Sequence, residues 1–325
     1  MKTDKRKILI IRFSSIGDIV LTTPVIRCVQ EQVPGVELHY LTKRTFEPVL
    51  AGNPYIDKIH FLKDSLAETI ADLKLEHFDH VIDLHNNIRT LFIKKRLGKP
   101  TSSFNKLNLK KWLLVSFRLN LMPKEHIVDR FLKTVEFLGV KNDGIGLDYF
   151  LINNHHLTLL LPPSHQQYIA LVIGAQHGTK RLPVQRLVEL CKLIEKPVVL
   201  LGGPEDMERG EKIIASCAGH VFNGCGKFKL DQSAFLVKMA ICVITHDTGL
   251  MHIASAFKKR IHSVWGNTVP EFGMYPYLVE ESYISEVKGL SCRPCSKIGY
   301  QKCPLGHFKC MNNINLTAIS QQVNV

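Results

Sequence analysis

A threonine and a glycine at a strand-to-helix junction form the segment of this sequence best suited to binding an anion. Asp247-Thr248-Gly249 follows an apolar run at 240–245, and His252 lies one helical turn further on. Unpaired backbone N–H groups and the helix dipole attract phosphate at such a junction, and glycine allows close approach. An ordinary N-cap by Asp247 or Thr248 needs the same residue types. Spacing alone therefore leaves both interpretations open.

Two more loops contain residues that suit a nucleotide. Lys180 and Thr179 lie in the glycine-containing loop 174–181, just before a predicted helix, where the lysine could neutralise a diphosphate. Glu205, in the turn 202–206, could accept hydrogen bonds from a ribose. The alternatives are a surface lysine and a carboxylate favoured at a helix start. The G-x-G-x-x-G and Walker fingerprints are absent, which disfavours an NAD enzyme and a P-loop NTPase.

Four of the nine cysteines lie close together near the C-terminus. Their spacing is C-x2-C-x7-C-x6-C, and four cysteines can bind zinc tetrahedrally. The first pair has the usual zinc spacing, whereas the second pair is spread more widely, and His307 is an alternative ligand. Free thiols or facultative disulfides remain the alternatives to a structural zinc. The four residues are Cys292, Cys295, Cys303 and Cys310.

Short apolar runs alternate with helical patterns along nearly the whole chain. The isoleucine-rich run at 7–13 suits a buried parallel strand, and 19–32 has helical spacing. The repeated βα unit predicts parallel sheets covered by helices on both faces. Further strands are predicted at 36–41, 58–62, 80–84, 168–173, 197–201, 240–245 and 261–265.

A polar segment with two adjacent prolines interrupts this alternation. Residues 153–167 include Pro162 and Pro163, which do not fit a central strand or the interior of a helix. We therefore predict two doubly wound α/β domains, 1–160 and 161–325. Ligands bind beyond the carboxyl ends of strands in such sheets, and the polar loops described above all lie there.

The composition indicates a globular enzyme with a strong positive charge. The 325 residues are 45% hydrophobic and 22% charged, with no apolar run long enough to span a bilayer and no signal peptide, so we expect a cytoplasmic protein. The formal net charge of +13 favours an anionic partner, which could be nucleic acid, acidic lipid or a phosphorylated substrate. Much of this charge lies within 94–118.

Four motifs, in order and each after a predicted strand, resemble glycosyltransferase family 9, the ADP-heptose:lipopolysaccharide heptosyltransferases. The similarity covers both halves of the chain, and although each motif is weak alone, the ordered set is specific. The matching segments are 12–20 followed by Thr22-Thr23-Pro24, then 179–183, 202–205 and 247–254. The resemblance implies a GT-B fold, in which two Rossmann-like domains face a cleft. The first domain would bind the acceptor and the second the donor, and the last helix, 316–323, would return to the first domain.

The resemblance also implies an inverting reaction that needs no metal or other cofactor for catalysis. Asp18 matches the base that takes the acceptor proton, although helix capping would also explain this residue. Lys180 and the amides near Thr248 would stabilise the departing diphosphate. The implied donor-binding residues are Thr179, Lys180, Glu205, Asp247, Thr248, Gly249 and His252. The acceptor-binding candidates are Ser15, Gly17, Asn87 and Arg89.

The family's acceptors, lipopolysaccharide core glycolipids, are anionic and lie at a membrane surface. We therefore expect a nucleotide-sugar donor, an anionic glycolipid acceptor and peripheral contact with the cytoplasmic face of the inner membrane, and no nucleic acid. Basic residues within 94–118 would favour that contact. The apolar segment 112–117 within it predicts a core helix, with a lipid contact as the alternative.

Two other functions fit parts of the sequence. A nucleotide-sugar 2-epimerase shares the GT-B architecture but would alter the donor without any acceptor. A nucleic-acid-binding protein would explain the charge and the cysteines, and its binding would depend steeply on salt. The ordered motifs at strand ends favour the transferase.

Overall fold

The computed structural model describes residues 6–217 and 219–324, in which strands and helices alternate as predicted. The first half contains β1 (Arg6–Ile11), α1 (Ile16–Val20), α2 (Thr23–Gln32), β2 (Val36–Thr42), α3 (Glu47–Leu50), β3 (Lys58–Phe61), α4 (Leu66–Leu75), β4 (His80–Asp83), α5 (Ile88–Leu97), β5 (Thr101–Ser103), α6 (Asn108–Phe117) and α7 (Ile127–Leu132). The second half contains α8 (Leu157–Leu160), β6 (Ile169–Val172), α9 (Val184–Leu193), β7 (Val198–Leu201), α10 (Met207–Ile214), β8 (Val221–Asn223), α11 (Leu230–Met239), β9 (Cys242–His246), α12 (Gly249–Ala256), β10 (Arg260–Trp265), β11 (Ser282–Glu286), α13 (Lys309–Asn312) and α14 (Leu316–Val323).

The chain forms two compact units, each built on one parallel sheet. The first unit runs to Lys106 and resumes at Glu125–Ile152, and its sheet has the order β3-β2-β1-β4-β5. The second unit contains Leu107–Lys124 and the chain from Asn153 onward, with the order β11-β10-β9-β6-β7-β8. The strand pairs are parallel. The predicted α/β class with two doubly wound sheets is confirmed.

Central strands are continuous apolar runs because helices cover both faces of each sheet. In β1 the four residues from Ile8 to Ile11 are buried, and β6 and β7 are buried along their whole length. The strands that the sequence pattern did not predict are β5, β8 and β11. All three lie at sheet edges and are short or half-exposed, so they carry a weaker apolar signal.

The predicted helix at 19–32 is instead two helices, α1 and α2. Pro24 lies in the first turn of α2, where its missing N–H is tolerated, so the chain starts a new helix there. The two helices are separated by Leu21 and Thr22. This break leaves α1 as a short helix directly after the loop that contains Ser14 and Ser15.

The division into units differs from the predicted boundary at 160, because it falls after Ile152 and assigns 107–124 to the second unit. The last helix, α14, belongs to the second unit, and its return to the first unit stays a prediction. Its apolar residues Leu316, Ile319 and Val323 belong to the second unit's core, against α9. Acceptor binding by the first domain and donor binding by the second stay predictions.

Helix α6 is not the core helix that the segment 112–117 predicts. Leu114 is its buried residue, whereas Trp112 and Phe117 are exposed. Within the described residues, no helix combines the length and the apolar character needed to cross a membrane.

Candidate active site

Each sheet reverses its strand order at one place, and the loops at these two places contain most of the predicted residues. The reversal lies between β1 and β4 in the first sheet and between β6 and β9 in the second. In doubly wound sheets, ligands bind beyond the carboxyl ends of the strands at this point. Asp18 follows β1 and Asn87 follows β4, whereas Lys180 follows β6 and Asp247 follows β9.

Asp18 lies in the first turn of α1, and both of its carboxylate oxygens are held. Ser15 donates to Oδ2 from its hydroxyl at 2.7 Å and from its backbone N–H at 3.1 Å. Gly17, which lies between these two residues in the sequence, is buried in the same turn. The turn therefore fixes the direction of the carboxylate, as a base or a cap requires. The acceptor-binding roles of Ser15 and Gly17 stay predictions.

Arg12, which the sequence did not single out, holds the other oxygen of Asp18. Its guanidinium lies 2.6 Å from Oδ1 of Asp18 and also donates to the carbonyls of Ser14, at 2.9 Å, and Leu84, at 2.5 Å. Leu84 directly follows β4, so Arg12 connects the two loops at the reversal. Its position at the end of a buried strand was the available signal, since a charged residue there needs a partner.

The end of β4 carries a second charged group, Asp83, which holds the loop that follows. Asp83 is buried, pairs with Lys94 at 2.8 Å and accepts the backbone N–H groups of His85 and Asn86. Burial, and next the charges of Arg12 and Lys106, lower the pKa of His85 to about 4, so its ring is neutral at pH 7.

The two acceptor candidates in this loop have different environments. Asn87 caps α5, because its side chain accepts the N–H of Thr90 at 3.0 Å. Arg89 is exposed in the first turn of the same helix. The structure therefore supplies a structural role for Asn87, and acceptor binding by either residue stays a prediction. Lys106, half-buried near Arg12, is a cation at this site that the sequence did not single out; burial, and next Arg12, lower its pKa.

At the second reversal, Lys180 and Asp247 form an ion pair. Nζ of Lys180 lies 2.5 Å from Oδ2 of Asp247 and 3.3 Å from its carbonyl oxygen. Thr268, which follows β10, donates to the same Oδ2 at 3.0 Å. The lysine is therefore held at the start of α12, where an anion would gain from both its charge and the helix dipole.

The start of α12 retains features of a phosphate site. Asp247 does not cap the helix, because its carboxylate pairs with Lys180; Thr248 is at the N-cap position but makes no side-chain capping bond. Its hydroxyl lies 3.3 Å from that of Thr245. Gly249 begins the helix, and His252 is buried one turn further on. Capping requires a side chain that accepts the first N–H groups of the helix, and neither Asp247 nor Thr248 does so here.

The other two donor candidates differ in accessibility. Thr179 is buried, and its hydroxyl exchanges hydrogen bonds with the backbone of Tyr300 at 3.0 and 2.8 Å, so it positions the loop before Lys180. Glu205 is exposed. Its neighbour Asp206 is buried and pairs with Arg209 at 3.1 Å, and this ion pair holds the turn 202–206 in place. Nucleotide binding by Thr179 and Glu205 stays a prediction.

Residues 67–304 match the family model of glycosyltransferase family 9 (heptosyltransferase). The matched region is well over half of the chain and contains the Lys180 and Asp247 loops. The chain belongs to glycosyltransferase family 9. It is therefore an enzyme that transfers a sugar, which favours the predicted function over the epimerase and the nucleic-acid-binding protein.

Relatives of this family 9 transferase include several lipopolysaccharide heptosyltransferases. Lipopolysaccharide heptosyltransferase 1 of Campylobacter coli is 24% identical over 288 residues, which are 81% of this chain and 84% of the relative. Lipopolysaccharide heptosyltransferase 2 of Escherichia coli K12 is 24% identical over 295 residues, 82% and 84% of the two chains.

Solved structures confirm the fold of the transferase. A family 9 glycosyl transferase from Veillonella parvula DSM 2008 aligns with a TM-score of 0.77 and 21% identity, over 100% of this chain and 98% of the other. Escherichia coli heptosyltransferase WaaC with ADP aligns with a TM-score of 0.71 and 20% identity, over 98% of each chain. The predicted GT-B fold with two Rossmann-like domains is thereby confirmed.

The four C-terminal cysteines of the transferase form no disulfide bond. Sγ of Cys292 lies 3.9 Å from Nε2 of His307, and Cys295 donates to the carbonyl of Cys292 at 2.9 Å. Cys303 is half-buried, and burial raises the pKa of Cys310 to about 12. Structural zinc and free thiols both stay open. One zinc per chain in protein purified without added zinc would support the metal site, and substoichiometric zinc would remove the idea.

A different group has metal-ligand residue types, but its side chains already have partners other than a metal ion. Among the described residues, His39, His60 and Glu76 are the group whose ligand atoms all lie within 4.8 Å of one another. The two rings bond to each other at 2.9 Å, and Lys58 pairs with Glu76 at 2.5 Å, as does Lys7 at 3.3 Å. Two ammonium groups already neutralise this carboxylate, so a metal would have to displace them.

Proposed function

We propose that this transferase moves a heptose from ADP-heptose to a lipopolysaccharide core acceptor, with inversion at the anomeric carbon and no metal in the reaction. The names of its relatives support the donor and acceptor classes. The main structural support is the pair of sheet reversals, one with an anchored carboxylate and the other with an anchored lysine. A direct displacement needs these two charges, one for the incoming hydroxyl and one for the leaving group.

Asp18 is the proposed base. Its carboxylate takes the proton of the acceptor hydroxyl while the hydroxyl oxygen attacks the anomeric carbon, and the bond from that carbon to the diphosphate oxygen breaks. Arg12 and Ser15 support this role because they fix both oxygens of a group that must meet one particular hydroxyl. Positioning of this kind contributes to rate by reducing the motion needed to reach the transition state.

Lys180 is the proposed stabiliser of the leaving ADP. As the bond breaks, negative charge grows on the diphosphate, and a cation already in place costs no reorganisation at that moment. The amides at Thr248 and Gly249 would bind the same charge. Glu205 would accept hydrogen bonds from the ribose, since it is exposed beyond β7 on the same sheet.

A donor screen with product analysis by mass spectrometry tests this function. The enzyme would be incubated with ADP-heptose, UDP-glucose or GDP-mannose and a heptose-deficient lipopolysaccharide core. We expect the acceptor to gain one heptose from ADP-heptose, and Asp18→Asn to bind ADP normally but form no product. The control is Asp64→Asn, which changes an exposed carboxylate of the same unit. A change in the donor without any acceptor would instead indicate an epimerase.

We also propose that the enzyme acts at the cytoplasmic face of the inner membrane through peripheral contact. The acceptor class is a membrane glycolipid, and the chain carries a net charge of +13 that would attract an anionic leaflet. Fractionation of cells at low and high salt tests this location. Release from membranes by salt is the expected result, and a wholly soluble enzyme at low salt would contradict it.

A further inference from the structure

Helix α6 is fixed firmly to the second unit. Leu114 packs against Val269 and Phe272 in a small core of buried residues. Arg118, just after the helix, donates to the carbonyl of Ser291 at 2.8 Å, and Lys297 donates to the carbonyl of Asn108 at 3.3 Å. These contacts hold α6 in a defined position on the surface of the second unit.

The outward face of α6 is apolar, which reverses the usual arrangement of a surface helix. Leu109 is 68% exposed, Trp112 46% and Phe117 64%. Trp112 and Phe117 contact each other edge to face, with ring centroids 5.2 Å apart. Leu119 and Leu121 continue the patch beyond the helix, each about half-exposed. Contiguous exposed apolar groups of this kind mark an interaction site.

The same segment is also strongly basic. Residues 107–124 contain four cations and no Asp or Glu. Lys110 and Lys124 are exposed, and Arg118 lies at the end of the helix. An apolar face interleaved with cations is typical of helices that lie in the interface of an anionic membrane. The four cations are Lys110, Lys111, Arg118 and Lys124.

We propose that α6 and the turn after it, residues 107–124, bind the surface of an anionic phospholipid bilayer. Trp112 and Phe117 would lie at the boundary of headgroups and acyl chains, where aromatic rings are favoured, and the cations would contact headgroup phosphates. A second copy of this chain fits less well, because a two-fold interface would bring the same four cations together. The proposal gives the peripheral contact of the proposed function a specific surface.

The two tryptophans of the chain allow a direct test. Trp112 is exposed and Trp265 is buried, so Trp265→Phe leaves Trp112 as the only tryptophan. With vesicles of phosphatidylethanolamine and phosphatidylglycerol, we expect its emission to shift to the blue and brominated lipid to quench it. Vesicles of phosphatidylcholine alone should have little effect. Co-flotation of the wild-type chain with the same vesicles provides a second measurement that does not depend on the Trp265 variant folding.

Matched variants separate this face from general hydrophobicity. Leu109→Ser with Phe117→Ser should weaken partitioning into anionic vesicles about tenfold or more. Leu159→Ser with Ile298→Ser, which also changes two exposed apolar residues of the second unit, should change it by less than about twofold. Equal effects of the two pairs, or no flotation of the wild type, would overturn the proposal. Concentration-dependent burial of Trp112 without lipid would also overturn it, in favour of a second copy.

Activity distinguishes this inference from the proposed function on which it partly rests. The Leu109/Phe117 variant should keep wild-type transfer to a delipidated core acceptor and lose transfer to acceptor in vesicles. If the enzyme transfers no sugar but still floats through α6, the proposed function fails and the lipid surface stands. If transfer to vesicles is unaffected by the variant, α6 has no role as the docking surface.

Discussion

The two sheet reversals contain ion pairs of opposite design. In the first, Arg12 holds Asp18; in the second, Asp247 holds Lys180. The side chain of Asp18 is 22% exposed and that of Arg12 10%, whereas Lys180 is 17% exposed and Asp247 11%. In each pair the more buried member also bonds to the loop after a neighbouring strand. Arg12 donates to the carbonyl of Leu84, which follows β4, and Asp247 accepts from the hydroxyl of Thr268, which follows β10.

This comparison shows how one architecture could supply both the proposed base and the proposed cation. The anchored partner fixes the geometry, and the more accessible partner would face the ligand in the proposed reaction. A neutral histidine accompanies each pair, half-buried His85 in the first and buried His246 in the second. Burial, and next Arg12, lower the pKa of His85 to about 4, and burial, and next Arg209, lower that of His246 to about 3. Neutral rings there add no competing charge to either pair.

The largest effect should come from the accessible member of the first pair. Asp18→Asn removes the proposed base but keeps the size of the side chain, so we expect kcat to fall about 10³-fold. The Kd for ADP should stay within about twofold, because the donor residues are unchanged. Single-turnover transfer and ADP titration measure the two quantities. Near-normal kcat would mean that Asp18 only caps α1.

Lys180→Met should have the next largest effect, because it removes the cation beside the growing diphosphate charge. We expect kcat to fall about 10²-fold and ADP to bind more weakly. Steady-state kinetics and ADP titration would measure both changes. The control is Lys192→Met, which changes an exposed lysine on α9. If the two variants behave alike, the second pair is structural and the comparison fails.

The sequence allowed prediction of what depends on local pattern. Buried strands such as β1 and β6 have a continuous apolar signal, and the loops after them were recognised as sites for Asp18 and Lys180. The sequence did not reveal Arg12 as the anchor of Asp18, because Arg12 is itself held by the carbonyl of Leu84, which lies 72 residues away along the chain. It also did not predict the exposure of Trp112, because the apolar face of a helix usually packs against the core, and α6 reverses this arrangement.

The anchor of the first pair should matter less than the base it holds. Arg12→Met removes the ion pair and the bonds to Ser14 and Leu84, so we expect kcat to fall about 30-fold through misplacement of Asp18. Arg12→Lys restores a charge without the fork of donors and should recover part of this loss. Steady-state kinetics with the two variants would measure both the loss of kcat and its partial recovery. An Arg12→Met effect larger than that of Asp18→Asn would reverse the proposed roles in the pair.

The smallest effect concerns the two neutral histidines and appears in stability. Because both folded pKa values lie below the usual histidine value of about 6.5, the unfolded chain binds more protons between about pH 6.5 and 4. The free energy of unfolding is therefore highest, as far as these two histidines are concerned, above about pH 6.5. It decreases as the pH falls towards 4. His246→Gln keeps an acceptor for the N–H of Leu182, which now bonds to His246 at 3.0 Å. It should reduce the loss of unfolding free energy between pH 7 and 5 by about 1–2 kcal/mol.

Urea unfolding at the two pH values measures this difference, with His156→Gln as the control at an exposed histidine. His85→Gln should reduce the acid-induced loss of unfolding free energy as His246→Gln does, if the histidines at the two sheet reversals are equivalent. If only one of the two histidine variants changes the acid sensitivity, a neutral histidine is a feature of one sheet reversal and is not common to both. The ion pairs would then remain the feature that the two sites have in common.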